Sequence, residues 1–164
     1  MRSEQEVIGA IERYADTVRR ICLTSLKSPH DTEDVFQTVF VKYALSSPVF
    51  DSAEHEKAWV IRVTINACKD WLKSLFRHRT VPLEEAREQA SDLPAETVEV
   101  MDAIAALPER YRTVIYLHYY EGYTAEEIGC ILHKNKNTVY TWLTRAKPLL
   151  KEALGGDENA RTHL

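Results

Sequence analysis

Apolar residues recur at steps of three and four along most of the chain, and strict alternation persists nowhere. That period predicts helices and no sheet. Val7, Ile8, Ile11, Tyr14, Ala15, Val18, Ile21, Cys22 and Leu26 outline a first long amphipathic helix, expected to end near Ser28 and Pro29. Asp31, Thr32, Glu33 and Asp34 should open the second, where negative charge complements the helix dipole. It runs to about Tyr43, with Val35, Phe36, Val39, Phe40 and Tyr43 apolar. Residues 46–56 read as a Pro-, Ser- and Asp-containing loop that carries Phe50. A third helix is expected over 57–77, with Val60, Val63, Ala67 and Trp71 as its core stripe.

Residues 80–94 break the pattern: they are acidic, bounded by two prolines, and read as a linker. Helical periodicity resumes at Thr97 with Val98, Met101, Ile104, Ala105 and Leu107, and Pro108 suits the first turn of a restarted helix. That helix should end at Gly122 in a left-handed conformation. Residues 124–151 then form two short helices around a tight break. Thr124 with Glu127 makes a capping box for the first, and Asn135 can cap the second. The expected architecture is all-α: one helical domain over 1–79, a flexible acidic linker over 80–96, a second helical domain over 97–154, and a polar tail over 155–164.

The net charge of −4 looks wrong for a nucleic-acid binder until it is divided along the chain. Residues 1–79 carry 12 basic and 11 acidic side chains, 80–98 carry one and five, and 99–164 carry eight and nine. The deficit therefore sits in the linker. Attraction to DNA depends on local patches within a Debye length of about 8 Å. Two such patches exist. Residues 57–79 hold six basic side chains against Asp70, and 128–151 hold no acidic residue at all.

Other classes find little support. No apolar run approaches the roughly 20 residues that span a bilayer, and the N-terminus lacks a signal-peptide core. Membrane insertion is not expected. Cys22, Cys68 and Cys130 are odd in number and widely spaced within apolar patterns, and read as small core residues in a reducing cytoplasm. They make no metal-ligand spacing with the six histidines, so neither a metal nor a cofactor is expected. No carboxylate pair or nucleophile–base set points to an enzyme.

The candidate chemistry is recognition. On the last helix, Val139, Leu143 and Ala146 should face inward, while Lys136, Asn137, Thr138, Tyr140, Thr141, Arg145 and Lys147 offer cations, amides and hydroxyls. A helix pair of that kind fits a helix-turn-helix reading a duplex, although any helical hairpin has one solvated face. On the third helix, Trp59, Arg62, Asn66, Lys69 and Lys73 share a stripe, with Lys57 at its start. Basic side chains so spaced can follow a phosphate backbone, and Trp59 and Asn66 can stack on or hydrogen-bond a base. Spacing alone fits Trp59 equally well as core. The polar face of the second helix, including Asp34, Gln37, Thr38, Val41 and Lys42, reads by itself as solvated surface.

Two segments in this order resemble the extracytoplasmic-function (ECF) sigma factors of bacterial RNA polymerase. DTEDVFQTVFVKY followed by KAWVIRVTINACKDWLKS resembles sigma region 2. LPERYRTVIYLHYYEGYTAEEIGCILHKNKNTVYTWLTRAK resembles region 4. The resemblance implies a subunit that binds core polymerase, through its β′ and β subunits, and promoter DNA, and that an anti-sigma factor silences. It turns Asp31, Glu33, Asp34, Gln37, Thr38, Val41 and Lys42 into a polymerase-docking face. Phe50, Lys57, Trp59, Arg62, Asn66, Lys69 and Lys73 become candidates for the −10 element. Lys136, Asn137, Thr138, Tyr140, Thr141, Arg145 and Lys147 become candidates for the −35 element. The alternative is a stand-alone helix-turn-helix regulator with an N-terminal sensor or dimerisation domain. Several positions depart from the family's usual pattern, including aromatic Tyr140 and Trp142 and the short basic run at 77–79. His133 stands where a turn glycine is common. Gly129 replaces alanine at an expected cost of about 1 kcal/mol. Pro148 should kink or end the last helix early.

Overall fold

The computed structural model describes residues 1–26, 28–78 and 93–155, with backbone alone at 75–78. Every regular element among them is helical, and the chain divides into two compact units between Leu93 and Pro94. Of the linker expected over 80–96, residues 80–92 lie outside the described residues, and its last two positions, Ala95 and Glu96, already form the start of a helix. Of the tail expected over 155–164, all but Gly155 lies outside them.

The first unit is built from α1 (Glu4–Ser25), α2 (Pro29–Leu45) and α3 (Ala53–His78), each packed on the other two. Ser3 starts α1 with a reciprocal capping box: its hydroxyl accepts from Glu6 N at 3.2 Å, and the Glu6 carboxylate accepts from Ser3 N at 2.8 Å. Ala10, Val18, Cys22, Val35, Val39 and Val60 are essentially inaccessible and form the centre of the core. Removing each of the valine side chains from water contributes about 1.5–3 kcal/mol.

Several boundaries and faces differ from expectation. α2 begins at Pro29 rather than among the acidic residues: Ser28 caps it through Asp31 N at 3.3 Å, and the proline's fixed φ suits the first turn. α3 begins at Ala53, inside the expected loop, because Ser52 accepts from His55 N at 3.1 Å and Glu54 and Glu56 favour the first turn. Ile8 is 47% exposed, since it lies across α1 from the Ala10–Tyr14–Ile21 stripe. The α3 core is also wider than the expected stripe, taking in Ile61, Thr64, Ile65 and Cys68.

The second unit contains α4 (Ala95–Ala105), α5 (Glu109–Ile115), a π-helical turn (Tyr116–Tyr120), α6 (Ala125–Leu132) and α7 (Lys136–Ala153). Pro108 precedes α5 as its N-cap rather than entering its first turn. Gly122 has φ 80°, the left-handed conformation expected of it. Met101, Ile104, Val114, Ile128, Val139 and Leu150 are buried between the helices. Cys130 is exposed, contrary to its expected core position, because it points away from the Ala125–Ile128–Ile131 face of α6.

Pro148 neither ends nor truncates α7, which runs through it to Ala153. The buried stripe Val139, Leu143, Ala146 and Leu150 continues past the proline and holds the helix to the unit. Pro148 itself is exposed, so the Thr144 carbonyl it deprives of a donor lies toward solvent.

Candidate nucleic-acid interface

On α3, residues 59, 62, 66, 69 and 73 fall within one narrow sector of the helix. The structure places this stripe beside the core. Asn66, Lys69 and Lys73 are exposed, whereas Lys57, Trp59 and Arg62 are half-buried, and Arg62 Nε is buried without a hydrogen-bond partner. Trp59 serves packing as well as surface. Its ring meets Tyr43 at 6.0 Å in an edge-on arrangement and Phe50 at 5.7 Å. Phe50, from the short connection between α2 and α3, also lies over Tyr43 at 6.5 Å and meets His55 edge-on at 5.4 Å. Two residues proposed separately thus form one aromatic cluster, walled by Tyr43, whose phenol burial pushes above its ordinary pKa.

The outward face of α2 carries Glu33, Gln37, Thr38, Val41 and Lys42 in exposed positions, with Asp31 and Asp34 half-buried. Val41 is 55% exposed and Leu45, one turn further, 66%. An apolar row is therefore mixed into a polar helix face. Asp34 lies 3.7 Å from His30, and Thr38 donates to the Asp34 carbonyl at 2.9 Å.

The helix pair α6–α7 has the predicted caps. Thr124 and Glu127 exchange hydrogen bonds at 3.1 and 3.2 Å, and Asn135 Oδ1 accepts from Asn137 N at 2.8 Å. Between the helices His133 adopts φ 55°, ψ 45°, so a residue with a Cβ occupies the left-handed position where glycine is cheapest. The glycine sits instead at 129. A Cβ there would lie 2.6 Å from the Lys134 carbonyl oxygen, and Lys134 N donates to Gly129 O at 2.9 Å. Gly129 is therefore more than a weak helix residue: its missing side chain lets the turn close onto α6.

With one side of α7 buried, Asn137 and Thr141 stand near the centre of the exposed arc. Lys136, Tyr140 and Lys147 line one flank; Arg145 and half-buried Thr138 line the other. The Thr141 hydroxyl donates to the Asn137 carbonyl at 3.0 Å, which orients its methyl and lone pairs. Arg145 has neighbours that its position in sequence did not disclose. On α5 the Arg110 guanidinium lies 4.7 Å from the Tyr111 ring centroid and donates to its hydroxyl at 3.3 Å. That hydrogen bond, with Arg145 acting in the same sense, holds the phenol below the ordinary tyrosine pKa.

Arg2 was also invisible to periodicity. Its guanidinium lies over the rings of Tyr43 and Phe50, and no local signal joins residues so far apart in the chain.

Comparison with known proteins places names on both units. The family described as sigma-70 region 2 matches residues 10–78, and that described as sigma-70 region 4 matches 97–150. The ECF RNA polymerase sigma factor SigW of Bacillus subtilis is 26% identical over 161 residues, covering 88% of this chain and 86% of that protein. RNA polymerase sigma factor SigV of the same organism is 28% identical over 147 residues, covering 88% and 89%. Among solved structures, the sigma factor RpoE in complex with the anti-sigma factor NepR, from Bartonella quintana, has a TM-score of 0.72 at 18% identity, covering 94% of this chain and 99% of that one. CnrH, in complex with the cytosolic domain of CnrY, has a TM-score of 0.68 at 20% identity, covering 95% and 92%. At those identities the structures speak for the fold.

Proposed function

The chain belongs to the ECF sigma factors of the sigma-70 family, and from that premise we propose how its surfaces divide the work of a promoter-specificity subunit. It acts as an RNA polymerase sigma factor. The region 2 match over the first unit disfavours a stand-alone regulator, whose N-terminal half would be a sensor or dimerisation domain. The observation that carries the assignment of surfaces is the presence of one cationic recognition helix in each unit, α3 and α7, in that order.

In this reading the α2 face from Asp31 to Lys42 docks on the β′ subunit of core polymerase. Exposed Val41 and Leu45 supply the apolar contact, and the carboxylates and Gln37 the polar rim. The α3 stripe follows the nontemplate strand at the −10 element, while Phe50 and Trp59 receive a base drawn out of the stack. Capturing that base offsets the few kcal/mol of unstacking. α7 enters the major groove at the −35 element, where Asn137, Thr141 and Arg145 reach base edges and Lys136 and Lys147 reach phosphates. The expected domain limits 1–79 and 97–154 follow this division, except that α4 draws Ala95 and Glu96 out of the expected 80–96 linker into the second domain. The protein performs no chemistry of its own and works in the cytoplasm. Silencing by an anti-sigma factor is proposed because the similar RpoE structure is a complex with the anti-sigma factor NepR.

The experiment is in vitro transcription by core polymerase on genomic templates with and without the protein. Sigma-dependent starts are expected, and their absence would sink the reading. Variants then separate the surfaces. Asp34→Ala with Gln37→Ala should weaken core binding and spare −35 duplex binding, and Asn137→Ala with Arg145→Ala should do the reverse. Equal loss of both functions in both variants would mean unfolding and overturn the division.

A further inference from the structure

We propose that Arg2 is a positioning residue for −10 recognition, fastening the segment that carries Phe50 so that the aromatic cluster holds the shape that receives a base. The inference rests on the reading of Phe50 and Trp59 given above. The N-terminal arm is sewn to the end of α2 and to the connection beyond it. Arg2 N donates to the Ala44 carbonyl at 2.9 Å, and its Nε donates to Ser46 Oγ at 3.2 Å. Its Nη2 donates to the Pro48 carbonyl. The same guanidinium lies 4.6 Å from the centre of the Tyr43 ring and 4.9 Å from that of Phe50. Ser46 Oγ is itself anchored, donating to the Tyr43 carbonyl at 2.6 Å.

Only 13% of the Arg2 side chain is exposed, and its carboxylate neighbour, Glu6 at 3.8 Å, is more than half exposed. The guanidinium is therefore committed to the loop and the rings more than to an ion pair. Its planar fork explains the choice of residue. Its nitrogens grip main chain and hydroxyl while the cation lies over two rings, a combination that the compact ammonium of lysine cannot reproduce. Val49, between two of the tethered residues, is 87% exposed and contributes almost no packing of its own. Further along, Asp51 N donates to His55 Nδ1 at 3.2 Å.

The test uses the reconstituted holoenzyme and a promoter found by mapping wild-type starts. Arg2→Ala, Arg2→Lys and Phe50→Ala are compared for open-complex formation on duplex template, for the same step on template with the −10 bases pre-unpaired, and for affinity toward core polymerase. Both Arg2 variants are expected to lose about tenfold on duplex, the loss of one or two guanidinium–ring contacts. Each should recover on the pre-unpaired template, with core affinity unchanged and a melting temperature lower by only a few degrees. Full rescue by Arg2→Lys, or a salt slope lower by about one in Arg2→Ala, would make Arg2 a phosphate contact and overturn the proposal. A parallel fall in core affinity and melting temperature would reduce it to a fold staple. Wild-type behaviour of the Arg2 variants beside a defective Phe50→Ala would defeat the Arg2 inference alone. A normal Phe50→Ala would defeat the underlying base-capture reading and this inference with it.

Discussion

The two recognition surfaces are built on opposite principles. In the first unit, two of the residues proposed to meet DNA also hold the fold: Trp59 and Phe50 pack on Tyr43 and the core of α1, α2 and α3. In the second, the proposed readers stand on the exposed arc of α7, and the helix is held by other residues, Val139, Leu143, Ala146 and Leu150. A rigid helix can enter the major groove of an intact duplex, so its readers need only be displayed. An unpaired base needs a concave aromatic place with defined walls, and walls must be packed. Site and fold are thus coupled in one unit and separable in the other.

Substitution at Trp59 tests the coupled case and should give the largest effect. Trp59→Ala removes a half-buried indole that touches two other rings, and is expected to cost about 3 kcal/mol of stability together with promoter melting. Urea denaturation at fixed salt measures the first and open-complex formation the second. Stability within about 0.5 kcal/mol of wild type, with melting abolished, would uncouple the two roles and break the comparison.

Gly129→Ala probes whether the fold of the second unit really rests away from its readers. Propensity alone predicts a gain of about 1 kcal/mol. The new Cβ, 2.6 Å from the Lys134 carbonyl, must instead push the turn off α6. A loss of about 2 kcal/mol is expected from that overlap, with the sign opposite to propensity. A raised melting temperature would show that the turn can shift freely, and the account of its closure would fail.

The contrast also explains what could be read from the chain. The caps at Thr124 and Asn135, the inward stripe of α7 and its cationic outer face are local patterns, and all three appear as expected. Tertiary packing overrode local signals elsewhere. Pro148 survives inside α7 because the stripe on both sides of it is buried, and Cys130 faces outward because its helix turns a different side to the core. His133 occupies the left-handed turn because the close approach is made at Gly129, a trade that single-residue preferences do not reveal. In the first unit the stripe of α3 was legible, but its convergence with Phe50, Tyr43 and Arg2 was not. Those residues meet through contacts tens of residues apart in sequence, such as Arg2 with Ser46 and Pro48. The early start of α3 was hidden because its capping Ser52 is followed at the third position by His55 rather than by Glu or Gln.

The smallest effect on the fold should come from Asn137→Ala, and that is its value. The side-chain amide is exposed, and the hydrogen bonds at this residue run through its backbone, N–H to Asn135 Oδ1 and carbonyl from Thr141 Oγ1. Deleting the amide leaves both in place, and alanine is the better helix former, so stability should hold or rise by at most about 0.5 kcal/mol. A bidentate amide contact to a base, in contrast, is worth about 1–3 kcal/mol of discrimination. Fluorescence anisotropy on −35 duplexes should therefore show weaker binding to the cognate site and little change on an unrelated one, with the salt slope unaltered because no phosphate contact is removed. Binding and stability would move in opposite directions, which the Trp59 variant cannot do. Uniform weakening on every duplex, or a melting temperature that falls with affinity, would make Asn137 part of the scaffold and erase the distinction between the units.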